Sequence, residues 1–304
     1  MSEPSLLCIG NLTVDDLVVD GIQTTALGGD ALFAALAARR VLGDVRMLAP
    51  VGTDVPATLH QTVSDLGITV ESARPRTALT VRNRVVYALD GSRTWDLLHG
   101  EEAFDAMSVY PDDVSPSALT ATGVLVSAMS LRSQLTLGPW LREATDATIL
   151  LDLQEDYVAG NERELLALLA TCDVFLPSEV EAVALAGTTD LEAAAATFRA
   201  AGAGVVVIKT AERGCLVATG DGTVNVATEA VTPVDPTGAG DAFCGAFAAA
   251  YVCGADPVEA ARAGAGAARV AIGGYGVAAL VTALQAELHP HADDGLPVAG
   301  VTGP

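Results

Sequence analysis

The 304-residue chain is 51% apolar and 18% charged, a balance that supplies a large core and excludes a disordered polymer. Its net charge of −22 excludes a nucleic-acid partner, which needs a basic face, and requires that any anionic substrate meet a locally positive site. No uncharged apolar run reaches the roughly 20 residues of a membrane helix, and the start Met1-Ser2-Glu3-Pro4 lacks a signal-peptide pattern, so a cytoplasmic enzyme with no membrane partner is the expectation.

Taken in order, the pattern predicts a strand at 6–9, an alternating stretch at 13–25, a helix at 30–41, a strand at 45–51 and a helix at 56–66. A second alternating stretch occupies 77–95, with Asp90-Gly91 as a hairpin-type turn. Strands at 123–127 and 148–152 follow, then a helix at 162–170, a strand at 174–176 and helices at 179–186 and 190–201. The last third gives strands at 204–209 and 215–218, helices at 239–251 and 257–272, and a loose tail over 292–304.

Continuous apolar strands between helices predict one α/β domain over 1–304, a doubly wound α/β/α sandwich with a mostly parallel sheet. The alternating segments, about 12–25 and 77–96, predict strands with one wet face. They read as a small antiparallel β lid over a cleft, with two ordinary edge strands as the alternative. Open lid edges suit pairing between copies, so a homodimer is expected.

Five scattered cysteines (Cys8, Cys172, Cys215, Cys244, Cys253) contain no C-x-x-C and read as reduced thiols. His60, His99, His289 and His291 have no metal-ligand spacing and read as surface or tail residues. Basic residues number fifteen Arg and one Lys, Lys209.

Thr237-Gly238-Ala239-Gly240-Asp241 follows the apolar run 231–234, read as β, and opens a long helical run. Small residues there let backbone N–H groups approach a ligand, and the helix adds its positive end. The result is the anion site that so acidic a chain needs for a triphosphate. Asp241 then stands where a carboxylate can take the proton of an acceptor hydroxyl; the alternative is a helix N-cap. A Rossmann G-x-G-x-x-G fails at Phe243 after Gly238-Ala239-Gly240 and at Arg269 after Gly264-Ala265-Gly266, and the P-loop pattern is absent.

Asp235-Pro236-Thr237-Gly238-Ala239-Gly240-Asp241-Ala242-Phe243 resembles the D-T-x-G-A-G-D-x-F signature of the ribokinase (PfkB) family of carbohydrate and nucleoside kinases. The resemblance implies Asp241 as catalytic base and Gly238, Ala239 and Gly240 as anion hole. Pro177-Ser178-Glu179-Val180-Glu181 is similar to the family's N-x-x-E, with Ser178 for Asn; it implies that Glu181 organises Mg²⁺, against the alternative of a solvent-facing helical Glu. Lys209 to Gly214 resembles the nucleotide-binding turn K-x-G-x-x-G, with Ala211 for the first Gly. Lys209, Thr210, Gly214 and Thr237 are thereby implied beside ATP, or the turn serves only the fold. Asp235 and Thr237, with backbone oxygens near Ala271 and Gly276, resemble the monovalent-cation loop of several members, which adds K⁺ to the expected ATP and Mg²⁺.

The N-terminal half departs further. Asp15 occupies the place of the family's hydroxyl-binding Asp, with Asp16 as alternative, and Gly28-Gly29 matches its double glycine. Phe33 stands where the family has Asn, and Asp30 where it has a small residue. Asp30 is read either as a replacement hydroxyl ligand or as a helix N-cap. Asp152-Leu153-Gln154 resembles a D-x-N placed near the phosphates, and Arg82, Arg84 and Arg93 lie on the presumed lid. The function implied is ATP-dependent phosphorylation of a hydroxymethyl group on a sugar or sugar-like molecule. A nucleoside kinase, favoured by an aromatic wall, and a silent ligand sensor on the same fold are the rivals.

Overall fold

Runs of Leu, Val and Ile without a polar face become strands covered on both sides, and β1 (Ser5–Ile9) is buried at every residue. The structure, a computed structural model, describes residues 3–19, 21–55, 58–87 and 93–288. The Asp90-Gly91 turn, the start of the predicted helix at 56, His289, His291 and the tail over 292–304 lie outside the described residues.

The elements in chain order begin with β1, β2 (Thr13–Val19), β3 (Ile22–Gly28), α1 (Asp30–Arg39), β4 (Asp44–Leu48), α2 (Thr58–Asp65), β5 (Ile68–Glu71), β6 (Val81–Tyr87), β7 (Arg93–Leu97) and α3 (Gly100–Ala106). The middle of the chain holds β8 (Gly123–Val126), α4 (Leu131–Ala144), β9 (Thr148–Leu151), α5 (Glu162–Leu168), β10 (Val174–Phe175), α6 (Glu179–Ala186) and α7 (Leu191–Ala201). The last third holds β11 (Val205–Lys209), β12 (Cys215–Thr219), β13 (Gly222–Val226), α8 (Ala239–Val252), α9 (Pro257–Ala271) and α10 (Ala278–Leu288).

Among the described residues the large sheet has nine strands in the order β13-β12-β11-β10-β9-β8-β1-β4-β5. All neighbours are parallel except the β11–β12 and β12–β13 pairs at one end. Side chains of α1, α2, α8, α9 and α10 fill one core, and those of α4, α5, α6 and α7 fill the other. This is the doubly wound three-layer sandwich with a mostly parallel sheet that the alternation of strands and helices predicts.

Two of the unpredicted elements have clear causes. α4 contains Gly138 and Pro139, ordinary helix-stop signals. Here Gly138 serves close packing, since a Cβ on it would lie 2.6 Å from Leu168. β13 has four exposed residues of five, so it carries no apolar run to read. The predicted β run at 231–234 is irregular chain outside the sheet; Val231 and Val234 are exposed, and Val231 lines the cleft.

The two alternating stretches form a separate four-stranded sheet in the order β3-β2-β6-β7. Two antiparallel pairs, β2–β3 and β6–β7, meet along a parallel β2–β6 pair. Register places Thr13, Asp15 and Leu17 on one face with Val81, Asn83 and Val85. That face is buried, and Tyr87 follows in the same phase.

One crossing organises the site. α1 and α8 are rich in Ala, and a Cβ on Gly245 would come within 2.0 Å of the Ala34 carbonyl oxygen. Backbone therefore packs on backbone at that point, which only glycine permits. The contact brings both helix N-termini together, with Asp30 as first residue of α1 and Asp241 as third residue of α8.

Candidate active site

Parallel strands gather their carboxyl ends on one edge, the usual place for a ligand in a doubly wound sheet. Asn11 lies beyond β1, Ser127 after β8, Asp152 after β9, Ser178 after β10, and Lys209 ends β11. The N-termini of α1 and α8 open onto the same edge.

Gly238 is the N-cap of α8 at φ +74, and its Cβ position would overlap the Phe33 ring at 2.3 Å. Phe33 is thus buried under the glycine loop and forms no wall for a ligand. Ala239 and Gly240 are the first two helical residues, so their amides belong to the turn that lacks intrahelical acceptors. Asp235, fully buried, accepts from the Thr237 N–H at 2.9 Å and from the Gly276 N–H at 3.3 Å. Its carboxylate clasps the glycine loop to the loop after α9. The backbone oxygen that meets this loop is that of Ile272, which accepts from Val234 and Asp235.

Asp241 is not an N-cap, since that position belongs to Gly238. Burial and the charge of Asp152 push its carboxyl up to about 6, while Lys209 pulls the other way. Asp30 sits close enough for Asp241 to add to the burial that raises its proton affinity. The N-cap of α1 is Gly29, and Asp30 instead turns its Oδ1 to the Asn11 N–H at 2.6 Å and the Ala31 N–H at 3.0 Å. Asp30 Oδ2 and Asn11 Oδ1 are buried without hydrogen-bond partners. Buried orphan oxygens of this kind are costly unless a ligand supplies donors.

Asp15 accepts from Thr13 Oγ1 at 3.0 Å and Asn83 Nδ2 at 2.8 Å, and burial raises it to about 6. Gly28 packs against it: an added Cβ would lie 2.2 Å from Asp15 Oδ2. Gly29, at φ +99, lets the chain pass the Asn11 carbonyl. Asp16 points the other way, held by Arg82 at 2.6 Å. Asn83 Oδ1 is a third buried orphan.

Glu181 is 8% exposed, which removes the solvent-facing alternative. Ser178 and Glu181 form a capping box: Ser178 Oγ accepts from the Glu181 N–H, and Glu181 Oε2 accepts from the Ser178 N–H at 2.7 Å. Burial and Asp152 raise Glu181 to about 7. A carboxylate so placed gains from a nearby cation, which fits Mg²⁺ held mainly by phosphates and water.

A cavity of about 330 Å³ runs from Lys209, Ala211 and Gly214 past Val231, Pro233 and Ile272 to Gly240. Gly214 lies in this wall, whereas Thr210 is buried and donates its N–H to the Gly214 carbonyl. Ala211, at the family's glycine position, has φ +51, the one non-glycine residue with positive φ among those described. Lys209 also lines the cavity, but its Nζ is held by both Asp152 oxygens at 2.7 and 2.8 Å.

Sequence reasoning missed Asn11, Asn83 and the Lys209–Asp152 contact. Asn83 was legible in principle, as a polar residue in phase with Val81, Val85 and Tyr87. Among the described residues no group of three or more His, Cys, Asp or Glu could hold a metal by itself, and no helix is long and apolar enough to cross a membrane.

A family model described as pfkB family carbohydrate kinase matches residues 14–283. The chain belongs to that family. This PfkB protein is therefore a phosphotransferase with an alcohol group as acceptor. It is 29% identical over 269 residues to a cytidine kinase of Thermococcus kodakarensis, covering 85% of this chain and 92% of that one. It is 30% identical over 242 residues to a deoxyribokinase of Salmonella typhi, 77% of each chain. Adenosine kinase from Sinorhizobium meliloti superposes with TM-score 0.78 at 20% identity, over 94% of this chain and 100% of that one. Arabidopsis thaliana ribokinase, complexed with ribose and ATP, superposes with TM-score 0.71 at 21% identity, over 93% and 99%.

Proposed function

We propose that this PfkB protein transfers the γ-phosphoryl group of ATP to a hydroxymethyl group of a sugar or sugar-like acceptor. The carrying observation is Asp241 at the N-terminus of α8, beside Gly238 and Gly240, whose amides lie outside the helical ladder, and Ala239, whose N–H makes a long 3.4 Å bond to the Pro236 carbonyl. In the proposed step the acceptor oxygen bonds to the γ-phosphorus as the bond to the β,γ-bridging oxygen breaks, and the hydroxyl proton passes to Asp241. The amides of Gly238, Ala239 and Gly240 stabilise charge on the transferring group. ATP would lie in the cavity between Ala211, Val231 and Gly240, with Gly214 in its wall and Thr237 at the phosphate end. Mg²⁺, organised through Glu181, would supply charge neutralisation on the phosphates.

For K⁺, Asp235, fully buried and accepting from two amides, would be the carboxylate beside such a cation, and no step is assigned to it. The acceptor would lie between the glycine loop and the small sheet, among Asp15, Gly28, Gly29, Asp30, Asn11 and Asn83. The small sheet would act as the lid of one 1–304 unit, and its edge strands β3 and β7 would pair between two copies.

A nucleoside acceptor is the second reading, and one observation favours it. Trp95 pairs in register with Val85, in phase with Asn83, and is 46% exposed. A bare indole on that face could stack on a base. Coupled ADP release over neutral pentoses, hexoses and nucleosides, with the product identified by mass, decides between the readings. Turnover of no acceptor would overturn both and favour a silent sensor.

A further inference from the structure

We propose that Lys209 and Asp152 act together as a positioning pair for phosphoryl transfer, fixing one positive charge beneath Gly240 and shielding Asp241 from the carboxylate behind it. This inference rests on the kinase reading above. Lys209 is the chain's one lysine. Its ammonium contacts both Asp152 oxygens, at 2.7 and 2.8 Å, and lies 3.3 Å from Cys244 Sγ. The Cys244 thiol in turn donates to Asp152 Oδ2 at 3.2 Å. A Cβ built on Gly240 would stand 3.6 Å from Lys209 Nζ, so the charge sits directly under the second residue of α8.

A lysine free to swing could follow a phosphate. This one is tethered by two oxygens, with side-chain exposures of 13% for Lys209 and 5% for Asp152, so its charge is fixed in place. Burying such a pair brings little net stability, because desolvation of both ions offsets their attraction. The groups facing this point are Asp30 on α1, Asp152 and Tyr157 after β9, Glu181 on α6, and Asp241 and Cys244 on α8. Lys209 is the single cation among these described groups. Without it, only carboxylates would face the charge that builds on the transferring phosphoryl group.

The test compares Lys209→Met, the double variant Lys209→Met/Asp152→Leu, and the isosteric Asp152→Asn. Each is measured for urea unfolding, ATP affinity by calorimetry, and turnover with an accepted substrate. Lys209→Met leaves Asp152 unpaired and is expected to lose stability and about a hundredfold in kcat. The double variant, with both charges gone, should unfold close to wild type and bind ATP within about threefold, yet stay at least about thirtyfold slower. Recovery of kcat together with stability would make the pair merely structural and overturn the proposal. Loss of ATP affinity in step with kcat would overturn it too, by making Lys209 an ATP ligand. Asp152→Asn should move the acid limb of kcat/KM to lower pH, because a negative neighbour of Asp241 is removed; an unmoved limb also counts against the pair. Wild type runs in parallel. A silent wild type sinks the kinase reading and this role with it, whereas an active wild type with a fast double variant sinks the pair alone.

Discussion

On the proposed phosphate side of the cleft, Gly238, Ala239 and Gly240 offer backbone amides and no polar side chain. On the proposed acceptor side, Asn11, Asp15, Asp30 and Asn83 offer carboxylate and amide side chains, with three oxygens lacking donors. The first surface depends on where the backbone runs, which a Gly/Ala pattern and a helix start dictate. The second depends on individual side chains, each exchangeable without moving the backbone. A phosphate site should therefore tolerate almost no change, and an acceptor site should change specificity before it loses the fold.

The sharpest break of that contrast is Gly238→Ala. Backbone strain at φ +74 and overlap with the Phe33 ring should cost about 2–4 kcal/mol in urea unfolding. Displacing the proposed anion loop should lower kcat by about a hundredfold. Near-normal stability and turnover would remove the packing argument for Phe33.

The buried carboxyls give a pH signature next in size. Asp241 and Asp15 are raised to about 6 and Glu181 to about 7, all above their unfolded values. Such groups bind more protons folded than unfolded, so their stability contribution is full below pH 4 and is lost as pH rises through 6 to 7. Asp241→Asn should accordingly raise unfolding free energy at pH 7.5 by about 1–2 kcal/mol and leave it unchanged at pH 4. A destabilised variant at pH 7.5 would contradict the raised proton affinity.

On the acceptor side, Asp30→Asn retains one oxygen for the Asn11 and Ala31 amides and turns the orphan acceptor into a donor. Acceptor KM should rise about tenfold while ATP KM holds. An unchanged acceptor KM would make Asp30 only a turn-former. The smallest effect is expected at the turn from Lys209 to Gly214, where Ala211→Gly relieves a left-handed alanine and should stabilise by about 0.5–1 kcal/mol.

The same contrast explains what the residues alone made legible. The glycine loop and the doubly wound sheet read directly, because small-residue spacing and apolar runs are backbone properties. Glu181 stood out in the sequence by its motif, but its environment did not. Its burial comes from packing of α6 on the sheet, and its capping box with Ser178 accounts locally for Ser in place of Asn. Lys209 read as a ligand of the nucleotide, yet its tether is Asp152, fifty-seven residues earlier, joined through strand order that no local pattern encodes. Phe33 read as an acceptor-side departure, and its ring proved to lie under Gly238 because α1 crosses α8 at Gly245. The 231–234 run read as a strand, since exposed valines look like buried ones in sequence.

At the head of α8, Asp241 is the group proposed to take the acceptor proton. Its most direct test is turnover of Asp241→Asn, with ATP binding measured on the same preparation. ATP affinity should stay close to wild type with no measurable phosphoryl transfer; a rate above about a tenth of wild type would contradict the base assignment.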